Sequence, residues 1–117
     1  SQSITFLLMK EFGDNPFIGY WHDFGHIQRK HNLLILNHEQ FLRRMSSHLI
    51  GGHVNDVKWP ARDHQVPLLG GVVPFERLLP FFPHGVPLVW ELSSRVSSED
   101  IRAARKLWME KFPQTLA

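Results

Sequence analysis

Side chains that can bind metal or carry protons follow three separate apolar stretches of this sequence. Asp23 and His26 come after "FIGYW", His53 and Asp56 after "LIGG", and Glu91 directly after "PLVW". Imidazole is the commonest metal ligand and titrates near neutral pH, and carboxylate oxygens bind hard divalent ions. Eight histidines in 117 residues favour such chemistry. The absence of cysteine excludes thiolate metal sites and disulfides.

The apolar stretches have the pattern of strands that alternate with helices. Helical spacing predicts a first helix from Ile4 to about Phe12, ending near Gly13. The strand candidates are "FIGYW", "LIGGHV" and "VPLVWEL", and the segment from Asn55 to about Val73 is predicted as a loop. Later helices are predicted to begin behind Asn37, behind Pro74 and behind Ser97 or Ser98. The expected order is helix, strand, helix, strand, helix, strand, helix.

Short apolar strands separated by helices are typical of parallel βαβ units, because parallel neighbours need a crossover connection. The carboxyl ends of parallel strands lie at one edge of a sheet, where α/β proteins bind substrates and cofactors. We therefore predict that Asp23, His53 and Glu91 converge there, closely enough to share one ion. The three later helices are expected to pack on one side of the strands.

Several of these residues also have an ordinary structural role open to them. Asp23 can cap a helical turn that begins at Phe24, and the two glycines before His53 suit either a strand bulge or a close approach of backbone or ligand. His22 alternates away from Asp23 and is expected to face the helical layer. The remaining histidines outside the polar loop are expected at the surface: His31, His38, His48 and His84. A carboxylate at a buried strand end, such as Glu91, needs a partner.

Four motifs occur in a recognisable order: "DFGH" and "HVND" at two strand ends, then "DHQVPLLGG", then "LVWE". Their order and spacing match those of a known family over about residues 3 to 112. Together they resemble the C-terminal part of the xylose isomerase-like superfamily, the group of sugar phosphate isomerases, epimerases and endonuclease IV. Members are (β/α)₈ barrels of the TIM type that bind one to three divalent metals at the C-terminal face. The loop "PLLGG" departs from the Pro-Gly-x-Gly or Leu-Gly-x-Gly that is usual in the family.

The resemblance implies Asp23, His53 and Glu91 as metal ligands, with Glu91 also a catalytic base. It implies His26 as a further ligand or a catalytic, substrate-binding group. Asp63 and His64 resemble the pair that extends the metal site in endonuclease-like members. Oxygen and nitrogen ligands without sulfur favour Mn, Mg, Zn or Co.

Three functions are compatible with these residues. The first is a metal-dependent isomerase or epimerase acting on a sugar or sugar phosphate, in which the metal polarises a carbonyl and a carboxylate shuttles the proton. The second, suggested by Asp63 and His64, is a metal-dependent phosphodiesterase acting on abasic DNA. A net charge of +2 otherwise permits nucleic acid without implying it. The third is a non-catalytic truncated barrel that acts as an oligomeric assembly module.

The predicted three strands and four helices amount to only part of a barrel, which needs eight strands and about 250 residues. One partial barrel domain over residues 1–117 would leave two sheet edges and an apolar face exposed. The family's other carboxylate ligand, on an earlier strand, has no counterpart in this chain. We expect a homo-oligomer or the remainder of a longer barrel to complete the core. No apolar run resembles a signal peptide or membrane span, so a cytoplasmic location without membrane contact is the default.

Overall fold

The computed structural model describes residues 7, 8, 10, 11, 14, 15 and 17–116. In chain order its main elements are β1 Tyr20–Asp23, α1 Phe24–Asn32, α2 His38–Met45, β2 Leu49–Val54, β3 Asp56–Lys58, β4 Arg62–Gln65, α3 Phe75–Leu78, β5 Leu88–Trp90 and α4 Ser98–Lys111. Short 3₁₀ turns occupy Ser46–His48, Leu79–Phe81 and Pro113–Thr115. None of the helices in the described part of the chain combines the length and the apolar character that crossing a bilayer requires.

The three predicted strands form one parallel sheet in the order β1-β2-β5. The first of them begins three residues later than the predicted stretch "FIGYW", so Asp23 is the last residue of β1 rather than a residue after it. Asp23 is in register with His53, and His53 is in register with Val89. The backbone N–H of Glu91 donates to Val54 O at 3.1 Å, which continues the pairing one residue past β5. The α/β class and the parallel pairing are therefore confirmed, and the strands end together at one edge.

Three regular elements lie outside the predicted order of helices and strands, although a helical turn capped by Asp23 was recognised as an alternative at Phe24. Helix α1 follows β1 without a loop, and β3 pairs antiparallel with β4 inside the segment predicted as a loop. Two of them have weak patterns: α1 buries only Phe24 and Ile27 as large apolar residues, and β4 reads Arg-Asp-His-Gln without apolar alternation. Of the first predicted helix, Leu7, Leu8, Lys10 and Glu11 are helical, whereas Ile4, Phe12 and Gly13 lie outside the described residues.

Among the described residues, the helices pack on one face of the sheet, and the other face carries exposed apolar side chains. The main core joins the strand residues Leu49 and Val54 to helical residues of all four helices: Phe24, Leu42, Phe75, Leu78 and Trp108. On the opposite face Trp21, Ile50 and Val89 are 37%, 54% and 49% exposed. The predicted helical layer and the predicted open apolar face are thus both present.

Side-chain caps set where two of the predicted helices begin. Asn37 Oδ1 accepts a hydrogen bond from Gln40 N at 3.0 Å, and Ser97 Oγ accepts one from Asp100 N at 3.1 Å. Each cap satisfies a backbone donor that has no partner within its helix. The start predicted at Asn37 is therefore correct, and of the two alternatives Ser97 and Ser98 the cap is Ser97.

A chain of buried polar side chains runs from the sheet into the helical layer. Gln28 Nε2 donates to Asn32 Oδ1 at 3.0 Å, and Gln28 Oε1 lies 2.7 Å from His38 Nδ1. Because an amide oxygen can only accept a hydrogen bond, His38 Nδ1 carries the proton and is the donor. His38 Nε2 then accepts from His22 Nε2 at 2.9 Å. His22 Nδ1 accepts from the Tyr20 hydroxyl at 3.0 Å. This pattern uses every ring nitrogen once and places two neutral imidazoles in contact.

The placement of His22 agrees with the expectation, and that of His38 does not. His22 is fully buried against the helices, as predicted, but His38 is only 2% exposed rather than a surface residue. Burial lowers the pKa of His22 well below its usual value, and the neighbouring His38 lowers it further. Burial, with a contribution from His31, lowers the pKa of His38 to about 3. His38 turns inward because Gln28 and His22 offer it two hydrogen bonds inside the protein.

Candidate metal centre

Three side chains meet at the C-terminal edge of the sheet. Asp23, His53 and Glu91 each offer one ligand atom, and these atoms lie within 4.8 Å of one another. His53 Nδ1 is 3.0 Å from Glu91 Oε2 and 3.8 Å from Asp23 Oδ2. The predicted convergence is present, and each residue comes from, or directly follows, a different parallel strand.

Asp23 has two functions at once, one for each carboxylate oxygen. Its Oδ1 accepts a hydrogen bond from His26 N at 2.8 Å and so caps α1, while Oδ2 faces His53. The cap and the candidate ligand were alternatives from the sequence, but the two oxygens allow both.

The glycines before His53 serve the strand and the site together. The register between β1 and β2 shifts at Tyr20 and Trp21, so that Tyr20 is opposite Leu49 and Trp21 is opposite Gly51. A Cβ at Gly51 would overlap the Trp21 ring. That ring lies edge to face with His53, with the centroids 5.4 Å apart. The two glycines therefore lie beside an irregularity in the strand pairing and also allow the Trp21 side chain to approach the backbone of β2 closely. Trp21 packs against the His53 imidazole on the exposed face of the sheet.

Asn55 is a site residue that the sequence interpretation missed. It is buried, and its Oδ1 accepts a hydrogen bond from Gly25 N at 2.8 Å. Its Nδ2 lies 3.5 Å from both Asp23 Oδ2 and His64 Nδ1. Asn55 is two residues beyond His53 in "HVND", so the period of a strand puts both side chains on the same face. The two-residue separation between His53 and Asn55 was therefore the sequence feature that could have identified Asn55 as a site residue.

The other predicted site residues lie next to this cluster rather than in it. His26, Asp63 and His64 line a cavity of about 40 Å³ that also borders Asp23. Asp63 Oδ2 pairs with Arg29 Nη1 at 3.0 Å, and His64 Nδ1 is 3.6 Å from Glu91 Oε1. Among the described residues, the group close enough to share one ion consists of Asp23, His53 and Glu91.

Asp56, which the sequence also put at a strand end, serves the backbone instead. Its buried Oδ1 accepts hydrogen bonds from Val57 N at 2.8 Å and from Val73 N at 2.9 Å. Burial raises the pKa of this carboxyl, while the backbone N–H groups that it accepts from act in the opposite direction. Asp56 therefore ties β3 to Val73, shortly before α3, and does not belong to the group of side chains that could share one ion.

The chemistry of the cluster fits a divalent ion. Ligands of Mg, Mn, Zn or Co lie about 2.0 to 2.2 Å from the ion, so two ligand atoms of one site are at most about 4.4 Å apart. The separations of 3.0 and 3.8 Å from His53 lie below this limit, and the two carboxylates lie within 4.8 Å of each other, so binding an ion needs at most a small side-chain adjustment. Two carboxylates facing one imidazole also leave negative charge that a cation neutralises. The nearby cation Arg29 is paired with Asp63 and does not supply that charge.

The chain is thus a parallel α/β protein with a carboxylate and imidazole cluster at the C-terminal edge of its sheet. No protein-family model matches the sequence, and no curated protein matches it. The interpretation of the cluster therefore depends on its geometry and on the resemblance carried by the strand-end motifs.

Proposed function

We propose that this chain supplies the metal-binding edge of a (β/α) barrel that isomerises or epimerises a sugar or sugar phosphate. The observation that carries the proposal is the meeting of Asp23, His53 and Glu91 within 4.8 Å at the ends of three adjacent parallel strands. The order of the motifs "DFGH", "HVND" and "LVWE" along the chain supports the same function. Mn, Mg, Zn and Co are the candidate ions.

Asp23, His53 and Glu91 would hold the ion, which would supply Lewis-acid polarisation of the substrate carbonyl. Glu91 is the proposed base, because Oε2 faces His53 at 3.0 Å while Oε1 lies on the side of His64. In an isomerisation Glu91 takes the proton from the carbon beside the carbonyl and returns it to the former carbonyl carbon, while the hydroxyl proton passes to the carbonyl oxygen. An epimerisation needs in addition an acid on the opposite face of the substrate, because a proton that Glu91 returns to the same face restores the original configuration. His26 and His64 stand close enough to Asp23 to bind substrate hydroxyls.

Cleavage of abasic DNA is the second candidate, and the geometry favours it less. Endonuclease-like chemistry needs Asp63 and His64 to extend the metal site. Asp63 instead makes an ion pair with Arg29, and both side chains are nearly half exposed. We therefore keep the phosphodiesterase as an outcome of the test rather than as the leading function.

The open face of the sheet implies a partner for the chain. Covering a few hundred Å² around Trp21, Ile50 and Val89 is worth several kcal/mol, at roughly 25 cal/mol per Å². We propose that further strands cover this face, either from a second copy of the chain or from the remainder of a longer barrel. Sedimentation equilibrium of the 117-residue chain tests the first case. A stable monomer at micromolar concentration contradicts self-association.

Metal content and turnover test the proposed site. We expect protein purified without chelator to contain a divalent metal by mass spectrometry, and His53→Ala to lose it. His84→Ala is the matched control, because His84 lies on an exposed turn away from the cluster. Turnover on a panel of ketoses and ketose phosphates should disappear in His53→Ala and persist in His84→Ala.

The other outcomes separate the three functions. Equal metal content in wild type and His53→Ala refutes the site. Cleavage of an abasic duplex that chelator abolishes, without isomerisation, selects the phosphodiesterase. A stable oligomer without any turnover selects the assembly module.

A further inference from the structure

A second cavity lies beside the metal cluster on the same edge of the molecule. Its volume is about 480 Å³, within the range of small-molecule sites. It is lined by residues of β4 and of the loop after β5: Arg62, Asp63, Gln65, Ser93, Arg95 and Val96. The proposed chemistry at Asp23, His53 and Glu91 does not use this cavity.

The lining carries positive charge that the described structure leaves unpaired. Within the described residues neither Arg62 nor Arg95 has an ion-pair partner. The one acidic side chain of the lining, Asp63, is already neutralised by Arg29 at 3.0 Å. Guanidinium groups bind phosphate through paired N–H donors, and the Ser93 hydroxyl adds a further donor. The cavity therefore suits a compact anion.

The cavity is connected to the metal cluster through short backbone links. Ser93 N donates to His64 O at 2.8 Å, and His64 Nδ1 is 3.6 Å from Glu91 Oε1. Ser93 follows Glu91 by two residues, so their Cα atoms are at most about 7 Å apart. A carbon chain of sugar size spans such a distance.

We infer that this cavity binds the phosphate of a sugar phosphate whose carbonyl end lies at Asp23, His53 and Glu91. The inference rests on the proposed function and narrows its substrate class from sugars in general to phosphomonoesters. A nucleic acid is the less suitable source of phosphate, because a duplex needs a continuous track of cations. The chain has a net charge of only +2, and the two arginines line one open cavity.

Binding of inorganic phosphate to chelator-treated protein tests the cavity without the metal. We expect Arg62→Ala and Arg95→Ala each to weaken phosphate binding about tenfold or more in calorimetry, since each removes charge-assisted hydrogen bonds. Arg95→Lys should lie between wild type and Arg95→Ala, because the charge remains and the paired donors do not. Arg102→Ala on the exposed side of α4 is the control and should stay within about twofold.

Binding measurements with a ketopentose phosphate, with the unphosphorylated sugar and with an abasic duplex distinguish the possible sources of the phosphate group. A ketopentose phosphate should bind at least about tenfold more tightly than the same sugar without phosphate, and the double variant of Arg62 and Arg95 should abolish the difference. No phosphate binding, or equal losses in the control, overturns the inference. Tighter binding of an abasic duplex than of the ketopentose phosphate also overturns it. Because phosphate binding is measured without metal, these results are independent of the metal content in His53→Ala.

Discussion

Acidification should destabilise this protein through two histidines that are buried without charge. Burial lowers the pKa of His38 to about 3 and that of His22 well below its usual value. In the unfolded chain both titrate near 6.5. The unfolded state therefore binds protons that the folded state excludes, and the free energy of unfolding falls with falling pH. This contribution is fully present above pH 6.5 and is lost progressively as the pH falls from 6.5 toward 3.

The size of the effect follows from His38 alone. At pH 4.5 the unfolded pKa lies about two units above the pH, which corresponds to about 2.7 kcal/mol at 1.36 kcal/mol per unit. A small domain has a total stability of about 5 to 15 kcal/mol, so this loss is substantial. His22 acts in the same direction. Asp56 acts in the opposite direction, because its raised pKa lets the folded state take up a proton before the unfolded state does.

Urea denaturation followed by tryptophan fluorescence at pH 7.5, 6.5, 5.5 and 4.5 measures this dependence. His38→Gln removes the titrating group and keeps a neutral side chain that can both donate and accept. Over this pH range we expect the variant to lose about 2 to 3 kcal/mol less stability than the wild type. His84→Gln is the control, because His84 is exposed and outside the buried network. The Asp56 contribution is common to all three proteins and cancels in the comparison.

Parallel stability curves for the wild type and His38→Gln would refute the reasoning. They would mean that His38 gains its proton as easily in the folded protein as in the unfolded chain. A flattening of equal size in His84→Gln would refute it too, because the pH dependence would then not come from the buried pair.

Three further predictions concern the elements that support the site. Gly25→Ala should lower both metal affinity and stability, because a Cβ there overlaps the Asn55 amide; metal titration and urea denaturation measure the two effects. Asp56→Ala should cost about 2 to 4 kcal/mol in urea denaturation, since it leaves two buried backbone N–H groups unpaired. Ser97→Ala should cost about 1 kcal/mol through the lost cap of α4, whereas Ser94→Ala, which caps no helix, should change stability by less than about 0.5 kcal/mol.

The parts of the fold that could be predicted are those with strong local patterns. The strand "LIGGHV" corresponds to β2 in full, and the caps at Asn37 and Ser97 lie where the capping residues predicted them. Helix α1 and the β3-β4 hairpin could not be predicted in the same way. Their side chains are largely polar, and they form because neighbouring elements cover the few apolar residues that they have.

In the candidate site and the adjacent buried network, too, only the features with a local sequence pattern could be predicted. The strand ends near Asp23, His53 and Glu91 were visible because each polar residue follows an apolar stretch of sequence, and parallel pairing brings such ends together. The position of His38 was not visible, because an isolated histidine at the start of a helix gives no sign of a partner. Its burial depends on Gln28 and His22, which are 10 and 16 residues away along the chain.

By itself the sequence determined which residues could carry chemistry and the order in which parallel strands present them, since periodicity and strand length are local properties. Only the tertiary structure decided which of these residues share a site. The separation of 3.0 Å between His53 and Glu91 depends on the register between β2 and β5, which packing of the helical layer sets. The pairing of Arg29 with Asp63, 34 residues apart, likewise took Asp63 out of the metal cluster. Side-chain distances of this kind arise from contacts between distant segments, and no local pattern encodes them.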